Sequence, residues 1–226
     1  MYSIQLTIAF GVNSWGSTRA TLNGISYLHQ KVPTLFSVLS APSNSIASDP
    51  AVYGHATNAF VLPHNSVVEL TIVNQDARAH PMHIHGHHVQ VVARGEDVNA
   101  AGRFPGLYEL PATPMRRDTV VVYGSGSVTV RFRADNPGVQ LVHCHTEWHV
   151  ESGMTATLIE APTELRRRMG GAGWKDKLPG SHVDVCRTGD IKMEGNAAGN
   201  TRDWRNLTGQ ITESDEDYWG ALIVDD

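Results

Sequence analysis

The run His143-Cys144-His145, followed by His149 and Met154, constrains this chain more than any other feature. A thiolate, an imidazole and a distant thioether are soft ligands. Two His, one Cys and a weak axial Met make a blue-copper electron-transfer site. The flanking histidines add a second requirement. On a strand, the neighbours of an inward-facing cysteine point to the opposite face. His143 and His145 are therefore directed away from the metal that Cys144 would bind and toward a different one.

The complementary half lies upstream, in His80-Pro81-Met82-His83-Ile84-His85-Gly86-His87-His88. His80 stands apart from the alternating pair His83 and His85, which share one face. The pattern reads as His80, Cys144, His149 and Met154 around one copper, with His83, His85, His143 and His145 directed toward a separate cluster. The two segments are roughly 60 residues apart, as expected where neighbouring strands and loops of an antiparallel domain supply the ligands. Zinc is the rival metal, but structural zinc sites favour paired cysteines, and this chain has only Cys144 and Cys186, far apart. His29, His55, His64 and His182 read as surface or packed residues. His87 and His88 either orient ligands from behind or serve solvent and packing.

The framework around these segments is β. Val68, Leu70 and Ile72 alternate with Glu69, Thr71 and Val73, and Val128, Val130 and Phe132 alternate with Thr129, Arg131 and Arg133. This period of two is that of strands with one face toward a core. Gly124-Ser125-Gly126-Ser127 supplies a turn after a strand from Asp118 to Tyr123. Gln140 to His143 and Thr155 to Ile159 are two more strands, with the metal loop between them. Met1 to Phe10 lacks the basic start and small-residue cleavage pattern of a signal peptide and is expected to form the first strand. Thr163 to Met169 is a short surface helix. Beyond it the chain becomes rich in Gly, Asn and Asp, a loop-dominated tail with no second core. The expectation is an all-β, Greek-key β-sandwich over residues 1–161 with a helix and loop tail over 162–226, a size within the usual range for one domain.

Composition excludes several functions. Hydrophobic content of 41% and charged content of 18% in 226 residues suit a globular protein. A net charge of -5 argues against a nucleic-acid partner, which wants a basic surface. No stretch approaches the roughly 20 apolar residues that cross a bilayer.

The runs HPMHIHGH and HCHTEWHVESGM resemble the two C-terminal copper-binding motifs of multicopper oxidases, the family of laccases, ascorbate oxidases and ferroxidases. Lys31-Val32-Pro33-Thr34-Leu35, Asn74-Gln75-Asp76, Pro114-Met115-Arg116-Arg117-Asp118-Thr119, Ala134-Asp135-Asn136-Pro137-Gly138 and Gly195-Asn196-Ala197-Ala198-Gly199-Asn200 resemble the third domain of fungal, ferroxidase-like members. The resemblance implies a cupredoxin fold. It implies type 1 copper ligands at His80, Cys144 and His149 with axial Met154, a type 2 ligand at His83, and type 3 ligands at His85, His143 and His145. It also implies an activity: single electrons leave a reducing substrate at type 1 copper and reach a trinuclear copper cluster, where dioxygen becomes water. Cys144, His143 and His145 would form the covalent path between the two. A secreted or cell-surface location follows from the same resemblance.

In the family, the trinuclear cluster takes eight histidines, half from the first domain and half from the last. This chain supplies His83, His85, His143 and His145, and no second pair of His-x-His motifs exists in it. The expectation is a partner polypeptide that carries the missing histidines in a heterodimer. A twofold homodimer sharing one cluster and a blue-copper electron carrier are the alternatives.

The reductant is either a phenol or ferrous iron. Glu147-Trp148-His149 and the GNAAGN run lean toward ferroxidases. Met154 leans the other way, because many fungal ferroxidases carry an apolar residue without sulfur there. As axial ligation tunes the potential, Met154 should lower it. Iron oxidation calls for carboxylates near His149, and Glu96, Asp97, Glu109 and Glu151 are the candidates. Cys186 is a buried free thiol, or else it forms the intermolecular disulfide that the resemblance suggests, which needs an oxidising compartment. Asn206-Leu207-Thr208 fits an N-glycosylation sequon.

Overall fold

The computed structural model describes residues 1–95 and 112–212. Two mixed sheets form a cupredoxin-like sandwich. The first carries β1 (Tyr2–Val12), β2 (Thr18–Leu22), β4 (Val67–Asn74), β6 (Val89–Gly95), β7 (Arg116–Arg117) and β9 (Ser127–Arg133), in the order β2-β1-β4-β9-β6-β7. The second carries β3 (Ala59–Leu62), β5 (His80–Ile84), β8 (Thr119–Val122), β10 (Gly138–Cys144) and β11 (Thr155–Glu160), in the order β3-β11-β10-β5-β8. The pairings β1 with β4 and β11 with β3 are parallel, and the remaining pairings between strands are antiparallel.

Alternation explains the core between the sheets. Ile4, Leu6 and Ile8 of β1, Val68, Leu70 and Ile72 of β4, and Val128, Val130 and Phe132 of β9 point inward and are buried, while their neighbours on each strand face outward. They meet Met82, Ile84, Val142, Cys144, Ala156 and Leu158 from the second sheet. Removing this apolar surface from water, at about 25 cal/mol per Å², is the main stabilising term. Strand β11 departs from alternation because all six of its residues are buried. Leu158 enters the intersheet core, whereas Ile159 faces a second apolar cluster on the far side.

That second cluster corrects the expectation of a coreless, loop-dominated tail. Helices α1 (Thr34–Ser40) and α2 (Asn44–Ala47) precede two 3₁₀ turns at Pro50–Tyr53 and His55–Thr57. Residues after the sandwich form α4 (Pro162–Arg168), a 3₁₀ segment at Gly171–Lys177 and α5 (Gly180–Thr188). Here α3 denotes Glu147–Glu151, inside the metal loop. Phe36, Val38, Leu39, Tyr53, Leu165, Trp174, Cys186 and Trp204 pack together against Ile159. Their spacing in sequence is irregular, so no short window shows a period. Tertiary contact alone makes them a core.

The helix expected at Thr163 to Met169 is α4, shifted by one residue. The GNAAGN run is a structural knot. Buried Asn196 donates to the carbonyls of Trp204 (3.1 Å) and Asn206 (2.7 Å) and accepts from the amides of Ala198 (3.0 Å) and Asn200 (2.9 Å). Cys186 is a free, buried thiol within the second cluster. Asn206 of the sequon is exposed, and its side-chain oxygen accepts the Thr208 amide at 2.9 Å. No described helix is long and apolar enough to cross a membrane.

Candidate metal centre

Register brings the two histidine segments together. In the antiparallel pair β5 and β10, His83 lies opposite His143 and Met82 lies opposite Cys144. The pleat then separates the side chains by face. Met82 and Cys144 turn into the intersheet core, and His83 and His143 turn outward, half-buried.

On the inner side, His80 Nδ1 is 3.1 Å from His149 Nδ1 and 3.8 Å from Cys144 Sγ, and Cys144 Sγ is 3.4 Å from His149 Nδ1. A point equidistant from the three atoms of that triangle lies about 2.0 Å from each, near the 2.0–2.1 Å of a transition-metal bond to imidazole. Two imidazole nitrogens and a thiol therefore surround a space of metal size. Phe10 walls the site, with ring centroids 5.8 Å from His80 and 5.5 Å from His149.

Neighbouring groups set the histidine tautomers. Asp76 Oδ2 lies 2.9 Å from His80 Nε2, and a carboxylate there accepts the ring proton and leaves the Nδ1 lone pair facing Cys144. Burial is the largest influence on the His80 ring and pushes its pKa below the imidazole norm, with Asp76 opposing. His149 is lowered by burial and then by His80. Burial pushes the Cys144 thiol up, while the Thr146 amide, 3.5 Å from the sulfur, pulls it down. A metal cation would reverse the balance at this sulfur, because coordination deprotonates a thiol.

The loop from His145 to Met154 is short and closed by its own backbone. Short helix α3 carries His149, the Met154 amide donates to the His149 carbonyl (2.9 Å), and the Cys144 amide donates to the Met154 carbonyl (3.1 Å). Met154 is fully buried beside both. Gly153 is required between them. Its φ is +107°, and an added Cβ would come within 2.1 Å of Ser26 Oγ.

On the outer side, His83, His85 and His143 present ring nitrogens that all lie within 4.8 Å of one another. His85 Nε2 is 2.9 Å from His143 Nε2. His143 Nδ1 lies 2.7 Å from the Cys144 carbonyl, and His83 Nδ1 lies 3.1 Å from the Asp118 carbonyl and 3.0 Å from Thr119 Oγ1. Since a carbonyl only accepts, both Nδ1 atoms carry protons and both Nε2 atoms are left for a metal. Burial lowers the pKa of His85 and His143, reinforced by the neighbouring histidines. His145 is exposed at the rim, its ring centroid 5.6 Å from His83 and 5.9 Å from His143. Nitrogen-rich, partly solvated donors of this kind suit copper.

A multicopper oxidase family model matches residues 27–164. The chain belongs to the multicopper oxidase family. The iron transport multicopper oxidase fetC of Epichloe festucae is 44% identical over 208 residues, which cover 88% of this chain and 31% of that protein. FET5 of Saccharomyces cerevisiae, also an iron transport multicopper oxidase, is 41% identical over 209 residues, 86% of this chain and 32% of its own. The solved structure of Fet3p, a multicopper oxidase that functions in iron import, superposes with a TM-score of 0.78 at 36% identity, covering 92% of this chain and 39% of that one. A laccase from Botrytis aclada shares the fold at 23% identity and a TM-score of 0.61, over 88% of this chain and 35% of the laccase. The multicopper oxidase chain described here spans about a third of the length of the curated relatives it matches.

Two further side chains support this multicopper oxidase site without having stood out in the sequence. Asp76 appeared only within a resembling segment, although its spacing of four residues from His80 was visible. Phe10 carried no signal beyond its place in the expected first strand. His87, ambiguous from sequence, is buried with Nε2 at 2.6 Å from Glu160 Oε2, while His88 is exposed. His29, His55, His64 and His182 are all exposed. Of the carboxylates expected near His149, Glu151 is exposed at the end of α3, and Glu96, Asp97 and Glu109 lie outside the described residues.

Proposed function

We propose that this chain is the reductant-facing part of a multicopper oxidase that oxidises ferrous iron. One observation carries the reading: a single strand end divides its side chains between two donor clusters, Cys144 in the first and His143 in the second. Copper held by His80, Cys144 and His149, with Met154 as axial thioether, and by His83, His85, His143 and His145, would supply one-electron uptake and dioxygen reduction to water. The chain itself supplies the connection. Cys144 is bonded through the backbone to His143 and His145, and the contact from His143 Nδ1 to the Cys144 carbonyl adds a second short link.

Ferrous iron is favoured over a phenol by the surroundings of His149. Its pocket, about 360 Å³, is also lined by Phe10, Asp76 and Arg78. The Asp76 carboxylate, in hydrogen-bond contact with His80, offers a metal cation an ionic partner, whereas to a neutral phenol it is a hydrogen-bond acceptor that carries no charge attraction. The iron transport relatives agree with this choice.

Four histidines make half of the eight that the second cluster takes in the family. The other four come from outside these 226 residues, on a partner polypeptide or a further domain. A secretory or cell-surface location belongs to the same proposal, as does a boundary between residues 1–161 and 162–226, which the second apolar cluster spans.

The test is to isolate the protein from its source and measure the mass of what accompanies these residues and the copper bound per mole. Full oxygen-reducing activity from this chain as a lone monomer would overturn the shared cluster. Cys144→Ser should abolish the intense visible absorption of the first site, and its persistence would sink the ligand set. Asp76→Asn keeps an acceptor for His80 but removes the charge. It should lower kcat/KM for ferrous iron and spare that for a phenol, and equal losses would refute the choice of iron.

A further inference from the structure

The strands that hold the copper ligands leave the outer face of the other sheet unused, and a cavity of about 490 Å³ opens there. Its lining includes His88, Gln90, Arg116, Arg131, Arg133 and Asp135. Register explains why the arginines gather. Arg116 on β7 lies opposite Gln90 on β6, Gln90 lies opposite Arg131 on β9, and Arg131 lies opposite Glu69 on β4. These residues alternate with buried Leu70, Val91, Val130 and Phe132, so they share the solvent face. With strands about 4.8 Å apart, the Arg116 and Arg131 backbones stand about 10 Å from each other, within common reach of two long side chains. Arg133 follows two residues after Arg131 on the same face.

The charges in this cavity are not balanced. Glu69 Oε2 engages Arg131 at 2.6 Å, whereas among the described residues Arg133 has a long contact of 3.4 Å to the Asn65 carbonyl and no ion pair. Among the described residues Arg116 has no ion pair, and Asp135 is the one acidic residue in the lining. This excess of guanidinium sits on a chain whose net charge is -5. Guanidinium forks match planar and tetrahedral oxyanions with paired hydrogen bonds, and the volume falls in the range of small-molecule sites, roughly 300–1,000 Å³.

We propose that this cavity binds a small oxyanion, a phosphate or a dicarboxylate, through Arg116, Arg131 and Arg133. The site is independent of the copper chemistry and of the choice of reductant. Glu69 restrains it by occupying one of the three forks.

The test is calorimetric titration of the copper-loaded protein as isolated, at low salt, with inorganic phosphate and separately with succinate. Saturable binding of either is expected, and the anion that binds identifies the ligand class. Arg116→Ala should weaken it about tenfold, the loss expected for one charge-assisted contact. Glu69→Gln, which releases Arg131, should tighten it. Both substitutions lie on the solvent face of the sheet, so the fold is retained in each. Absence of saturable binding to both anions, or equal affinity in the protein and both variants, overturns the site.

Discussion

His87 Nε2 lies 2.6 Å from Glu160 Oε2, with both side chains buried. The other carboxylate oxygen of Glu160 accepts the Asn136 amide at 2.5 Å, and Asn136 Nδ2 in turn donates to the Gly86 carbonyl at 3.1 Å. Gly86 follows His85 directly, so this network ties the outer cluster to the end of β11. Glu160→Ala would leave the buried His87 ring without its acceptor and release the Asn136 amide, whose residue is exposed, to solvent. Leaving a buried polar group without its partner costs about 1–3 kcal/mol. Chemical denaturation checks the value, and a loss below about 1 kcal/mol would show that the network relaxes freely.

Asp76 fixes the proton of His80 on Nε2. Asp76→Ala frees the ring to rotate or change tautomer, and losing a support of this kind costs about 10–100-fold in metal affinity. Competition with a copper chelator at the inner site measures the loss. Unchanged affinity would mean that packing against Phe10 already holds the ring.

Four histidines of the two clusters, His80, His85, His143 and His149, titrate below the ordinary imidazole value of 6.5, in each case first because of burial. Their folded pKa values lie below their unfolded ones, so the unfolded chain binds more protons in the intervening range. Stability then rises with pH there. The copper-free protein should be at full strength above about pH 6.5 and lose stability as pH falls through that value toward the lowered ones. Denaturation of copper-free protein between about pH 7.5 and pH 5 gives the slope. A flat or inverted profile would contradict it.

Gly153 holds a φ of +107° where the metal loop presses on Ser26 and Ala20. In Gly153→Ala the new methyl would meet Ser26 Oγ and the Ala20 carbonyl, and the backbone conformation is costly for any residue with a Cβ, by about 1–3 kcal/mol. Both melting temperature and the visible spectrum of the inner site should shift, because Met154 is the next residue. A spectrum identical to that of the unsubstituted protein would show that the loop yields without moving the ligands.

Much of the site was legible in the sequence because metal chemistry is local in residue type. Cys144 between two histidines, with His149 following, marks by identity and spacing the donors that the fold brings together with His80, His83 and His85. The alternation of β4 and β9 likewise exposed the sandwich, since a strand with one wet face must repeat every two residues. The helices of α1, α2 and α5 were not legible. They are short, and their apolar residues find partners far away in the chain, so local pattern carries little of their stability.

By itself, then, the sequence determined which side chains can bind copper and that they divide between the two faces of a strand, because residue chemistry and the pleat are set locally. The tertiary structure decided the rest. Pairing of β5 with β10 set His83 against His143 and closed the triangle of His80, Cys144 and His149. Sheet packing placed Asp76 and Phe10 beside it, and a second core made from scattered residues turned the tail into structure. Those outcomes depend on contacts between segments distant in the chain, which spacing along one segment does not encode.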